Sequence, residues 1–177
     1  MARPNSHATN LGIVDRGKES IMAAEHPYVT TIKRYYEGCN LADFDIIRET
    51  VTEDVVHYFT HAPVVRGGDA LAHFWTRVVP RYGNHFTVDH AIVQDQEAVI
   101  EWSLELTPAK GAERELIRGA EWYVFRDDKI AEIRAYYLNR FDPIPQTSFE
   151  LRDYPYAERG YYMLGAENST HKPAIDS

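Results

Sequence analysis

Cysteine is almost absent from this sequence, since Cys39 is the single one among 177 residues. One cysteine cannot form a disulfide within the chain, and it cannot build a cluster of thiolate metal ligands. Residues 1–20 also contain no continuous apolar run of the kind found in a secretory signal. Together these absences favour a reducing compartment, and we expect a cytoplasmic protein.

Long apolar runs and dense basic clusters are missing as well. No segment approaches about 18 consecutive apolar residues, so the sequence predicts no membrane-spanning helix. The formal net charge is −8, and no basic run is dense enough to offset the repulsion of a phosphate backbone. We therefore expect neither membrane insertion nor nucleic-acid binding.

The signatures of several common enzyme classes do not occur. The sequence lacks a GxSxG nucleophile motif, a Walker loop and a GxGxxG motif after a strand. A metal site is not expected at His57 and His61, because residues four apart in a strand lie about 13 Å from each other. We therefore predict neither a metal nor an organic cofactor.

Aromatic residues, by contrast, are abundant, with 12 Tyr, 7 Phe and 3 Trp. Aromatic side chains fill protein cores, and they also line pockets for flat apolar ligands. The composition raises the hypothesis of a small-molecule pocket without deciding it.

The order of predicted elements is typical of an α+β fold. Apolar residues recur at helical spacing in three segments, which contain "YVTTIKRYYEGC", "FDIIRETV" and "ALAHFWTRVV". Asp43 and Asp69 are the expected caps of the second and third helices. One strand, "EDVVHYFTHAP", stands before the third helix, and four long strands of a meander follow it.

The chain divides into one domain with two flanking segments. Residues 1–24 are polar and aperiodic, which is typical of a disordered tail. Residues 25–140 carry all of the periodic segments and form the domain. Residues 141–177 are rich in proline and tyrosine, and we expect an irregular extension that acts as a lid over a cavity or as a dimer arm.

Three segments of the domain resemble known sequences. "RYYEGCNLADFD" resembles the arginine–tyrosine pair and helix junction of ketosteroid isomerases, and "RGGDAL" resembles the glycine turn that opens the third helix of their superfamily. "RGAEWYVFRDDKIAEIRAYY" is similar to the final hairpin of SnoaL-like polyketide cyclases. The domain therefore resembles the nuclear transport factor 2-like superfamily, whose fold is a cone-shaped curved sheet wrapped around helices, with a deep cavity inside.

The resemblance implies roles for individual residues. The tyrosine that donates to the substrate carbonyl in the isomerases corresponds to Tyr35, and their acidic donor corresponds to Glu121. Their general-base aspartate corresponds to Phe59, which cannot take a proton. The resemblance thus implies an oxygen-binding pair without the isomerase base, and it argues against steroid isomerase activity itself. His57 and His61 flank the vacated position.

The two histidines have two interpretations each. An unperturbed imidazole titrates at about pH 6.5, so His57 could move a proton at neutral pH. The alternative is a core histidine whose ring nitrogens are satisfied locally. His61 either contacts a ligand or lies exposed in a loop. Scytalone dehydratase, of the same superfamily, resembles this inventory of histidines and tyrosines around a cavity.

Glu121 lies in an otherwise apolar strand, "RGAEWYVF". Burial without a cation raises the pKa of a carboxyl, and the neutral acid can donate a hydrogen bond to a developing enolate oxygen. The alternative is a structural ion pair with Arg118 or Arg134. Tyr35 and Tyr36 lie about 100° apart on a helix, so we expect Tyr35 to face the cavity and Tyr36 to pack.

The predicted function follows from these residues. We expect a cofactor-independent acid–base enzyme (an isomerase, dehydratase or cyclase) that acts on a small apolar molecule bearing a carbonyl or hydroxyl. The alternative is a non-catalytic binding or assembly protein of the same fold. Relatives pair through the outer face of the sheet, so the resemblance implies a homodimer. The catalytic residues would be Tyr35, His57 and Glu121, and the ligand-binding residues would be Phe59, His61, Trp75, Trp102, Tyr123, Arg134 and Tyr136.

Overall fold

The computed structural model describes residues 24–138 and 148–163 of the chain. Almost all of the tail predicted over 1–24 lies outside the described residues, as do 139–147 and 164–177 of the predicted extension.

Three helices precede or interrupt the sheet, in the predicted order. Helix α1 spans Pro27–Leu41, α2 spans Phe44–Thr50 and α3 spans Gly68–Tyr82. Asp43 caps α2 as expected, because its Oδ1 accepts a hydrogen bond of 3.0 Å from the backbone N–H of Ile46.

The cap predicted for α3 is wrong. The residue at the cap position is Gly67, whose φ of +89° is a conformation that favours glycine, and without a side chain it makes no capping hydrogen bond. Asp69 instead lies in the first turn of α3, where its carboxylate pairs with the guanidinium of Arg48 at 2.5 Å. A carboxylate in this turn still stabilises the helix, because it lies near the positive end of the helix dipole.

The six strands form one sheet. They are β1 (Val51–Phe59), β2 (Val65–Arg66), β3 (His85–Gln94), β4 (Glu97–Leu106), β5 (Glu115–Arg126) and β6 (Lys129–Tyr136). The order across the sheet is β2-β1-β6-β5-β4-β3, with β1 parallel to β6 and every other pair antiparallel. The sheet curves around the helices, so the predicted α+β cone is confirmed.

Side chains alternate between the two faces of the sheet, and this alternation defines the core. On β5 the residues Glu121, Tyr123 and Phe125 are buried inward, whereas Trp122 lies on the outer face. The inward side chains pack with α1 and α3 in one continuous apolar cluster. Because the interior of the cone is apolar, polar side chains that point into it are candidates for a functional role.

Residues 148–163 pack on the outer face of the sheet. The backbone N–H of Arg152 donates to the carbonyl of Phe59 at 2.8 Å, and Tyr154 packs edge-on against Tyr58. The described part of the extension is thus not the lid that the sequence suggested, because it lies on the side of β1 and β6 that faces away from the interior.

Candidate active site

A cavity of about 360 Å³ lies between α3 and the inner face of the sheet. This volume suits a small organic ligand. Its wall is mostly aromatic and aliphatic, with a few polar groups among them. The lining residues are Phe59, His61, Ala62, Phe74, Trp75, Val78, Tyr82, Asn84, Phe86, Trp102, Leu104, Leu106, Pro108, Ile117, Glu121 and Tyr137.

Glu121 is the acidic residue of this wall. Its side chain is only 5% exposed, and Oε2 accepts a hydrogen bond of 2.7 Å from the Tyr36 hydroxyl and another from the Tyr123 hydroxyl. No Lys or Arg of the described residues forms an ion pair with it, so the alternative pairing with Arg118 or Arg134 is not formed. The carboxyl group is held by two neutral phenols.

Burial raises the pKa of Glu121 to about 7 from an ordinary value of 4.5, because an ionised carboxylate loses its hydration there. The two tyrosine hydroxyls act in the opposite direction, since both donate to the carboxylate. Near neutral pH the group therefore exists in both protonation states. Because Oε2 already accepts two hydrogen bonds, the proton of the neutral acid belongs on Oε1.

His57 lies directly behind this carboxyl. Its Nε2 is 4.0 Å from Oε1 of Glu121, which is too long for a hydrogen bond, and its ring stacks on Phe59 with centroids 3.9 Å apart. Neither ring nitrogen has a hydrogen-bond partner among the described residues. Burial, with a smaller contribution from the charge of His61, lowers the pKa of His57 to about 3, so the imidazole is neutral at physiological pH.

The structure exchanges the expected roles of two neighbouring tyrosines. Tyr36, which we expected only to pack, donates to Glu121. The hydroxyl of Tyr35 instead accepts a hydrogen bond of 2.5 Å from Nε1 of Trp75, and Tyr35 does not line the cavity. Both tyrosines are buried, so a sequence pattern that predicts burial does not show which of the two reaches Glu121.

A second polar pair lies in the cavity wall. The hydroxyl of Tyr137 is 3.2 Å from Nε2 of His61, and both residues line the cavity. His61 therefore has the cavity position that the sequence suggested. Tyr137 was missed, although Ile133 and Ala135 give the parity of the inward face and predict that 137 points inward too.

Arg134 and Tyr136 lie on the opposite, outer face of the sheet and do not reach the cavity. The guanidinium of Arg134 lies over the Trp122 ring at 4.8 Å and donates to the Tyr161 hydroxyl at 2.9 Å. Tyr136 packs in the cluster that holds Tyr154. The prediction that they contact the ligand is corrected here, because alternation along β6 turns both side chains to the outer face.

The remaining predicted wall residues lie where they can shape the cavity. Phe59, Trp75 and Trp102 line it, and all three are buried. Tyr123 is not part of the lining, and it contributes through its hydrogen bond to Glu121.

No group of three or more His, Cys, Asp or Glu side chains within 24–138 and 148–163 could hold a metal ion. None of the helices in these ranges is long and apolar enough to span a membrane.

Residues 32–133 match the SnoaL-like domain family, and the chain belongs to this family of the nuclear transport factor 2-like superfamily. No match was found among the curated proteins. A crystal structure of a protein of unknown function with a cystatin-like fold, from Methylobium petroleophilum PM1, is 33% identical to the chain. The alignment covers 84% of this chain and 96% of that one, with a TM-score of 0.65.

More distant solved structures share the fold. A protein from Jannaschia sp. CCS1, provisionally described as a SnoaL-like polyketide cyclase, is 19% identical over 62% of this chain and 84% of that one, with a TM-score of 0.54. An epoxide hydrolase of M. tuberculosis is 18% identical over 63% of this chain and 82% of that one, with a TM-score of 0.56. At these identities the likeness concerns the fold alone.

Proposed function

We propose that this protein is a cofactor-independent acid–base enzyme, an isomerase, dehydratase or cyclase, and that Glu121 exchanges the proton. The observation that carries the proposal is a buried carboxyl in the wall of a ligand-sized cavity, with no cationic partner among the described residues and with its pKa raised to about 7. A group that titrates near the working pH can both take and return a proton.

The cavity favours a small and largely apolar substrate. Most of its wall is aromatic or aliphatic, and such walls bind ring systems by excluding water. The polar groups are few, so the substrate would carry a carbonyl or hydroxyl that is recognised individually.

The proton would move through Oε1 of Glu121. As a carboxylate, Oε1 accepts a proton from a carbon next to a substrate carbonyl, and the electron pair of the broken C–H bond forms an enolate. The carboxylic acid then returns this proton to another carbon, which is an isomerisation, or to a departing hydroxyl, which is a dehydration. Tyr36 and Tyr123 act through Glu121, because their hydrogen bonds to Oε2 fix the plane of the carboxyl group.

His57 would act as a positioning residue. It does not line the cavity, and its neutral ring lies 4.0 Å from Oε1. Because the imidazole is neutral, it packs beside the carboxyl without placing a second charge in the core. This role differs from the direct proton transfer that the sequence suggested.

The alternative of a non-catalytic binding protein is less well supported. A pocket that only binds an apolar guest needs no acid at its wall, because burying a carboxyl costs free energy. Here the Glu121 carboxyl lies in the cavity wall with the His57 ring 4.0 Å from its Oε1, and this favours a catalyst over a binding module.

The test uses proton exchange, which requires no knowledge of the natural substrate. We expect the protein to catalyse exchange of the α-protons of an enolisable bicyclic ketone, such as β-tetralone, with deuterated water. Because the carboxylate is the base, kcat/KM should rise with pH and level off above about pH 7. The measurement is proton NMR of the ketone over a pH series.

Glu101→Gln is the matched control, since Glu101 is an exposed glutamate on the neighbouring strand. Its pH profile should equal that of the wild type. Absence of exchange for a panel of enolisable ring ketones, or a profile without an inflection near pH 7, would argue for the binding protein instead.

We also propose a homodimer that pairs through the part of the outer face that residues 148–163 leave open. A row of apolar residues crosses this region, where Ile92 is 74% exposed and pairs with Val99, which pairs with Trp122. Exposed apolar rows of this kind favour association. Light scattering should give the mass of two chains for the wild type and of one chain for Ile92→Lys; the mass of a single chain for the wild type would refute the dimer.

A further inference from the structure

Two tryptophans line the cavity, and different contacts hold them in place. The Trp102 indole packs tightly against Gly119, where an added Cβ would lie 2.5 Å from the ring, and its Nε1 has no hydrogen-bond partner among the described residues. The Trp75 indole instead donates from Nε1 to the Tyr35 hydroxyl at 2.5 Å. Steric contact therefore fixes Trp102, whereas a hydrogen bond fixes Trp75.

This hydrogen bond joins two helices. Tyr35 lies in α1, and Trp75 lies in α3, the helix that forms one side of the cavity. Both side chains are buried. An indole nitrogen can only donate, and a buried N–H that lacks an acceptor is unfavourable. The Tyr35 hydroxyl thus supplies the acceptor that favours this orientation of the indole.

The Trp75 ring contacts aromatic side chains on several sides of the cavity. It meets Phe74 and Phe86 edge-on, with centroid distances of 4.9 Å and 5.3 Å. Phe59 and His57 lie at 6.4 Å and 6.0 Å from it. A rotation of this one indole would therefore change the wall next to three lining rings and the packing around His57.

Tyr35 itself does not contact the space in which a ligand would lie. It is absent from the cavity wall, and its hydroxyl already accepts from Trp75. Burial raises the pKa of Tyr35 well above its ordinary value, so the phenol is neutral at physiological pH. A neutral phenol can hold the indole without placing a charge in the core, and any influence on a ligand passes through Trp75.

We propose that Tyr35 is a positioning residue of the active site, whose hydroxyl holds the Trp75 indole in the orientation that binds ligand. The cavity is then formed before the ligand arrives, which saves the cost of ordering the ring during binding. The sequence resemblance implied that Tyr35 donates directly to a substrate oxygen, whereas the structure directs this hydroxyl to α3. The inference rests on the proposed function only for its turnover measurement.

Removal of the hydroxyl should weaken binding and leave the chemical step unchanged. In Tyr35→Phe the indole N–H loses its acceptor, so the binding orientation of Trp75 is populated only in part and the apparent affinity falls by that fraction. One lost hydrogen bond corresponds to about tenfold. KM for exchange of the β-tetralone protons should therefore rise about tenfold, while kcat changes by less than about twofold.

The test follows the indole N–H groups of the three tryptophans by proton–nitrogen NMR. Trp75→Phe identifies the Trp75 signal by its loss. In Tyr35→Phe this signal should move upfield, because the proton is no longer deshielded by a hydrogen bond. The signal of Trp122, which donates to Glu97 on the outer face, should not move. Titration with β-tetralone, followed at the Trp75 signal, should give a Kd about tenfold higher for Tyr35→Phe than for the wild type.

Tyr58→Phe is the matched control, since it removes the hydroxyl of a buried tyrosine that packs on the outer face against Tyr154. It should leave the Trp75 signal, Kd and KM unchanged. In a Trp75→Phe background, Tyr35→Phe should cause no further loss of affinity, because the N–H through which it acts is gone. Circular dichroism establishes that each variant is folded.

A measurement on the wild type tests the hydrogen bond without any change at Tyr35. Trp122→Phe identifies a second signal, and the third then belongs to Trp102. The Trp75 proton should resonate downfield of the Trp102 proton, whose N–H has no acceptor among the described residues. The reverse order would contradict the bond between Trp75 and Tyr35.

Three results would overturn the positioning role. They are an unmoved Trp75 signal in folded Tyr35→Phe, an unchanged Kd in that variant, and a Trp75 signal in the wild type that does not respond to β-tetralone. A fall in kcat at constant Kd would also overturn it, since a direct donor to the substrate gives that result. Failure of the proposed function is distinct, because it is seen as absence of proton exchange and leaves the NMR shift and the binding titration unchanged.

Discussion

Replacing Glu121 by glutamine is expected to lower kcat for proton exchange by at least about a hundredfold, because positioned acid–base groups contribute about 10²–10⁴-fold. The glutamine carbonyl can still accept hydrogen bonds from Tyr36 and Tyr123, so the shape of the cavity is preserved. The amide cannot take or return a proton. KM should therefore change by less than about threefold while kcat falls, which is the signature of a lost transition-state interaction.

The comparison that gives this result meaning is Glu101→Gln, which makes the same chemical change on the solvent-facing side of β4. It should retain wild-type exchange. Equal rates for wild type and Glu121→Gln would show that another group moves the proton, and a rise in KM with constant kcat would show that Glu121 only binds.

The same substitution is expected to change how stability depends on pH, and this is the second large effect. In the wild type the pKa of Glu121 is raised by folding from 4.5 to about 7. The native state therefore holds this proton more tightly than the unfolded state does. The stability due to the protonated form is fully present below 4.5 and is lost as the pH rises through about 7.

The magnitude follows from the size of the shift. Between about pH 5 and about pH 8 the wild type should lose about 2–3 kcal/mol from Glu121. Glu121→Gln should not show this loss, so the difference in free energy of unfolding between variant and wild type should rise by that amount. Urea titrations at the two pH values measure it.

His57 affects the absolute curve in the opposite direction. Folding lowers its pKa from 6.5 to about 3, so its contribution is gained as the pH rises through this range. It acts in the wild type and in Glu121→Gln alike, and it cancels in their difference. A pH-independent difference would contradict the raised pKa of Glu121.

Most of the fold could be predicted from the sequence because the period of the apolar residues is unambiguous. The apolar residues recur at helical spacing in α1 and α3 and alternate strictly in β4, so each segment fits only one type of secondary structure. The cap of α3 could not be predicted in the same way, because Gly67 and Asp69 both suit a helix start. The choice depends on the backbone conformation of the preceding turn and on the partner Arg48.

The acidic centre of the site was predictable, but its partners were not. A glutamate between Ala120 and Trp122 in a mainly apolar stretch identifies Glu121, and alternation places His57 on the inner face of β1. Which tyrosine of α1 reaches Glu121 depends on how the helix is rotated against the sheet. Tyr35 and Tyr36 are both buried, so the sequence contains no signal that separates them.

At the end of β6, an error of one residue in the inward–outward alternation assigns the wrong side chains to the cavity. Arg134 and Tyr136 are chemically attractive, and they were assigned to the cavity although Ile133 and Ala135 define the inward face. The correct parity leads to Tyr137. The position of residues 148–163 on the outer face depends on contacts such as Arg159 with Glu132, which no local periodicity predicts.

The most direct test of the account is a carbon NMR titration of chain labelled at the glutamate carboxyl carbons, with Glu121→Gln to assign the resonance. We predict that the Glu121 signal titrates near pH 7. A Glu121 signal that titrates near 4.5 would mean that the carboxyl is solvated and ionised at neutral pH, and the proposed chemistry would fail.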